Sequence, residues 1–162
     1  MKNLLITSII ATLPLISGPA FAADEINVSN GISAAGAPLA VHGADPVALL
    51  NDAKVVDGSA NHALTHDGAS YYFASAENME AFKANPVKYT PQHGGFCSYG
   101  VSVGQKFDGD PDQFLVHDGK LFLFLNAKTR ELFMEDVAGT KATADQNWEK
   151  IEHKSVEELA DT

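Results

Sequence analysis

THDGASYYF, residues 65–73, returns 51 residues later as VHDGKLFLF, residues 116–124. Each copy sets Asp-Gly between apolar or β-branched residues. Both central positions of a type I′ turn need φ > 0, which makes Asp-Gly a strong hairpin signal. The echo runs on: Ser75-Ala76 matches Asn126-Ala127, and Glu80-Ala81-Phe82 matches Glu131-Leu132-Phe133. Side chains of Ser75 and Asn126 can accept from free helix N–H groups, so helices are expected over 76–84 and 127–137. Ala76, Met79 and Phe82 share a face in the first, Phe133 and Val137 in the second. A third helix is expected over 141–152, with Thr140 as its cap and Ala144, Trp148 and Ile151 as its apolar face. The expected class is α+β: a small single domain of two antiparallel β-hairpin–helix units plus a C-terminal helix. The sequence leaves open whether the echo is a true duplication or one solution used twice.

Outside these units the chain changes character. The start, MKNLLITSIIATLPLISGPAFA, has one lysine, an apolar run and a small-residue Ala20-Phe21-Ala22 ending. That is the pattern of a cleaved secretory signal over residues 1–22, with cleavage expected after Ala22. The run is shorter than the roughly 20 apolar residues a membrane span needs. No arginine pair is present, so the Sec route is expected, and in a Gram-negative cell the destination is the periplasm. Residues 23–40, rich in Ala, Gly, Ser and Asn, read as a flexible leader. The domain proper is expected over 41–152, and 153–162 as a frayed, acidic helical tail.

Charge narrows the partners. The 162 residues carry a formal net charge of −10 with no block of like charge. Phosphate binding needs clustered Lys and Arg, so nucleic acid is not an expected partner. An anionic membrane surface is excluded on the same ground.

The stretch PQHGGFCSYG, residues 91–100, holds the only cysteine, Cys97, four residues after His93. In an oxidising compartment a lone thiol is either buried and inert or exposed and functional. Thiolate and imidazole at this spacing suit Zn²⁺ or Cu⁺, with His42 or one of the hairpin histidines as a third ligand. Gly94 and Gly95 equally suit a tight turn, with Cys97 packed as a small apolar residue. His62 and His66 are also four apart, but on a strand that places them about 13 Å from each other, too far for one metal. His117 is the turn-flanking echo of His66. Asp108-Gly109-Asp110-Pro111-Asp112 opens like a calcium loop, yet its sixth and twelfth positions are Gln113 and Gly119 instead of Gly and Glu. Nothing matches a nucleophile elbow, a phosphate loop or HExxH, and no catalytic residue is assigned.

Asp45-Pro46-Val47, Gly68, Tyr71-Tyr72-Phe73-Ala74-Ser75, Phe82, Asn85-Pro86 and Lys88-Tyr89 together resemble the YHS domain. GGFCSYGVS at 94–102 and the hairpin–helix ending in Asn147-Trp148 look like the exported, single-domain YHS-like proteins. The likeness covers about 41–151. It implies a small α+β fold and a presumed metal role, chiefly through cysteines, beside copper-transport machinery. The positions matching those cysteines are Ala48, Ala74 and Asn78, so a metal role here needs other ligands, and Cys97, His93 and His42 are the candidates. The first functional expectation is thus an exported YHS-like binding domain that handles a soft metal such as copper(I) or zinc, or docks to a metal-handling protein. The second is a metal-free module that binds a small molecule or a protein through ground around Phe96, Tyr99 and the hairpin aromatics. The third is a thiol enzyme using Cys97.

Overall fold

The computed structural model describes residues 25–160; the expected signal and its cleavage after Ala22 lie outside them. A 3-10 turn, Val41–Gly43, leads into α1 (Pro46–Asp52). Then follow β1 (Ser59–His66), β2 (Ala69–Phe73), α2 (Ala76–Ala84) and α3 (Pro86–Tyr89). A second 3-10 turn, Gln92–Gly95, opens the same series again: α4 (Ser98–Ser102), β3 (Asp110–His117), β4 (Lys120–Phe124), α5 (Ala127–Glu135) and α6 (Val137–Ile151). A last helix, α7, spans Val156–Ala160. The class is α+β in one small domain, as the echo implies.

The two hairpins are superimposable in register. Ser59 pairs with Phe73 and Ala63 with Tyr72; 51 residues on, Asp110 pairs with Phe124 and Phe114 with Leu123. Both ladders slip at the same place, between Ser59 and Ala63 and between Asp110 and Phe114. Both turns carry Asp then Gly at positive φ: Asp67 47° and Gly68 80°, Asp118 50° and Gly119 68°. Those are the paired left-handed conformations that the Asp-Gly reading requires.

Packing repeats with the backbone. Phe82 lies 4.7 Å from the Tyr71 ring and 5.2 Å from Phe73; Phe133 lies 5.6 Å from Phe122 and 5.0 Å from Phe124. Phe73, Phe82, Phe122, Phe124 and Phe133 are fully buried, each burial contributing on the order of 1.5–3 kcal/mol. The repeat also reaches residues the sequence echo does not mark. Asp45 N–H donates to Val56 O and Cys97 N–H to Phe107 O, each at 2.9 Å. His42 and His93 both sit at positive φ in the 3-10 turns. Asn85 and Asp136 share φ near −150° and each ends one helix while capping the next.

Four boundaries differ from expectation. The helix expected over 127–137 ends at Glu135, and the one expected over 141–152 starts at Val137. The cause is Asp136, whose non-helical backbone breaks the helix and whose side chain accepts from Gly139 N–H at 2.9 Å, a capping role the sequence reading gave to Thr140. The segment read as a flexible leader is pinned from Glu25 onward. Ser70 N–H donates to Pro38 O at 2.7 Å and Ala40 N–H to Ser70 O at 2.9 Å, which covers the open edge of β2. Such one-residue pairings leave no periodicity to read. The tail is docked rather than frayed: Leu159 is buried with Phe96, Val101, Ala144 and Ile151. No helix among the described residues is long and apolar enough to cross a membrane.

Candidate functional site

His93, Cys97 and His42 each have partners other than one another. His93 stands in its turn with φ 53° and is buried against Phe122 and Trp148. Its Nδ1 lies 3.0 Å from Ser98 Oγ and its Nε2 3.1 Å from Asp145 Oδ1. A carboxylate only accepts, so Nε2–H donates to Asp145 and Nδ1 accepts the Ser98 hydroxyl. Burial lowers the His93 value below the ordinary imidazole range, against the pull of Asp145. The Asp145 carboxyl is held below its usual range: burial opposes this, but hydrogen bonds from Lys141 and His93 outweigh it. The order acid–imidazole–hydroxyl has the outline of a nucleophilic relay. Ser98 has no exposed surface, however, so the arrangement works as a brace between α4 and α6.

Cys97 is fully buried and caps α4, its Sγ accepting from Gly100 N–H at 3.4 Å. It packs with Phe122, Phe124 and Phe133. His42 is 41% exposed and its Nε2 meets Asp108 Oδ1 at 2.9 Å. No group of three or more His, Cys, Asp or Glu suited to a metal occurs among the described residues. The calcium-like stretch is spent in the same way, with Asp108 also accepting from Asn27 Nδ2 at 2.7 Å and Asp110 from Asp112 N–H at 2.9 Å. Phe96, read as part of a binding surface, is buried beneath Trp148.

The positions where the YHS resemblance implies thiols do converge, but on a carboxylate. Asp45, fully buried, caps α1 by accepting from Val47 N–H at 2.8 Å and Ala48 N–H at 3.2 Å. Its second oxygen accepts from Ala74 N–H at 2.8 Å and Asn78 Nδ2 at 2.6 Å. Ala48, Ala74 and Asn78 thus surround Asp45, and their donors are all used. None of them offers a soft donor, so these residues do not fit a copper(I) or zinc centre.

A cleft of about 210 Å³ opens where the two repeats meet. Its walls come from the first hairpin (His66, Asp67, Tyr71), the linker (Thr90, Pro91, Gly94), α6 with its C-cap (Trp148, Glu152) and the N-terminal segment (Glu25, Ile26). Asn27 N–H donates to Gly94 O at 2.8 Å and holds that segment in place. The buried ammonium of Lys106 fixes the α6 wall. It donates to Glu152 O at 2.8 Å and Lys154 O at 2.7 Å, and lies 5.1 Å from the Trp148 ring. These bonds satisfy carbonyls that the helix end leaves open. Three carboxylates, Glu25, Asp67 and Glu152, line the cleft and no lysine or arginine does. Glu25 is held below its usual range chiefly by the hydrogen bond from His153 Nδ1 at 2.9 Å, and burial raises the Tyr71 phenol above its own. The carboxylates face indole and phenol walls, a lining whose chemistry suits a small cation, with the Lys106 ammonium behind the indole offsetting part of their charge.

Sequence reasoning missed this cleft, as well as Ser98 and Asp145. One signal was available: Asp145 and Trp148 stand three apart on α6, so both face the His93 turn. No family model, curated protein or solved structure matches the chain.

Proposed function

We propose that this chain is an exported, YHS-like, non-catalytic binding module that holds a small organic cation in the cleft between its repeats. The observation that carries the reading is the lining of that cleft: Glu25, Asp67 and Glu152 around Trp148 and Tyr71, with His66 but no lysine or arginine. Export rests on the signal-like first 22 residues, and the family likeness on the motifs from Asp45 to Tyr89. Copper(I) and zinc are the less favoured ligands, because Cys97 and His93 already satisfy their donors inside the fold.

Trp148 is the only tryptophan, so its emission reports on the cleft directly. Titration of the purified protein with choline or ethylammonium is expected to give a saturable change in emission, with affinity in the micromolar to millimolar range, as cavities of this size allow. Glu152→Gln and Asp67→Asn are expected to weaken it, and acetate to have no effect. No saturable change with either cation up to about 10 mM would overturn the reading.

A further inference from the structure

Arg130 is the only arginine in a chain with 21 acidic residues. Among the described residues its side chain nonetheless makes no ion pair, and its buried Nε has no hydrogen-bond partner. Leaving such a donor buried and unpaired is unfavourable. Arg130 lines a groove of about 350 Å³ with Ala53, Asp112, Phe114, Leu115 and Val116, away from the Trp148 cleft. The three β3 side chains are half-buried and apolar along this wall.

The repeat supplies an internal control. Arg130 stands four residues after the Asn126 cap of α5, and Met79 four residues after the Ser75 cap of α2. In the first unit Met79 packs against the hairpin core. The first unit thus carries an apolar side chain at this position, and the second a guanidinium.

We propose that this groove binds a small monocarboxylate with an apolar body. The Arg130 fork takes the carboxylate in a bidentate pair, and Phe114, Leu115 and Val116 hold the hydrocarbon. The anion is singly charged, because one cation serves the groove and Asp112 repels a second negative charge. The same chemistry occurs in a free aliphatic acid and at an apolar peptide C-terminus.

The test is an amide chemical-shift titration of the purified protein with hexanoate, hexanamide and the N-acetylated dipeptide acid Ala-Leu. Hexanoate is expected to shift β3 and α5 resonances saturably, and hexanamide to leave them unmoved. Tighter binding of the dipeptide acid than of hexanoate would assign the source as a chain terminus, and the reverse a free acid. Arg130→Met places the first unit's residue in the second, so it is expected to fold and to lose at least about tenfold in affinity. Arg130→Lys keeps the charge without the fork and is expected to fall between. Equal binding by wild type and Arg130→Met, equal shifts with hexanamide, or no saturation up to about 10 mM would overturn the proposal. Trp148 does not line this groove, so the outcome is independent of the choline titration.

Discussion

Truncating Asp45 to alanine removes the one acceptor that ties α1, the end of β2 and α2 together. Four donors lose their partner: Val47, Ala48 and Ala74 N–H and Asn78 Nδ2, at 2.6–3.2 Å. Their fates differ. Ala74 is exposed and Asn78 half-buried, so water replaces the lost oxygen at little cost. Val47 and Ala48 are buried, and their N–H groups are the orphan donors of a helix start. Loss of a cap costs about 0.5–2 kcal/mol and an unpaired buried donor about 1–3 kcal/mol. The expected loss is about 3 kcal/mol, or a fall in Tm of about 10 °C for a domain of this length. Urea unfolding at pH 7, followed by Trp148 emission and by far-UV circular dichroism, measures it. Asp45→Asn keeps the oxygen that caps the buried Val47 and Ala48 N–H groups and sets its amide against the more accessible Ala74 and Asn78 donors, so its cost should be smaller. Ser75→Ala, which removes a half-buried cap bond of 3.1 Å, should cost about 1 kcal/mol. If Asp45→Ala lies within 1 kcal/mol of wild type, or costs less than Ser75→Ala, the carboxylate is not the joint described here.

Three further outcomes are expected. The Cys97 thiol should resist alkylation in the native protein and react fully in urea, because it has no exposed surface; rapid labelling at neutral pH would contradict its packing. Between about pH 7 and 5 stability should fall, since burial keeps His93 neutral in the fold while the unfolded chain protonates near its ordinary value of about 6.5 and so binds more protons. His93→Gln should flatten that slope, and an unchanged slope would remove His93 as its source. Glu25, Asp108 and Asp145, whose values the fold lowers, withdraw their contribution only at lower pH, as their carboxyls protonate. Finally, Gly58→Ala and Gly109→Ala occupy equivalent positions, and both should cost more than about 2 kcal/mol. The added Cβ would collide with the Tyr72 backbone in one and with Gly95 O and Leu123 in the other. Normal stability of either variant would refute the close approach.

What the sequence by itself determined is local. Asp67-Gly68 and Asp118-Gly119 specify their turns through their own φ preferences. Ser75 and Asn126 start their helices with bonds that span three residues, and the 51-residue echo follows from both. The same locality explains the error at Asp136. A single non-helical residue splits a helical pattern that Phe133 and Val137 would otherwise carry straight through. Tertiary structure decided everything that joins distant residues. It gave His93 to Asp145 and His42 to Asp108, so His93 and Cys97, which share a metal-like spacing, do not meet His42 as ligands. It drew Ala48, Ala74 and Asn78 around Asp45 from three different elements. It also closed a cleft from Glu25, Asp67 and Glu152, and left Arg130 over β3 where its counterpart Met79 is packed. Turns and caps are fixed by bonds between near neighbours, whereas a site is fixed by which faces the core brings together, and no short stretch of chain carries that information.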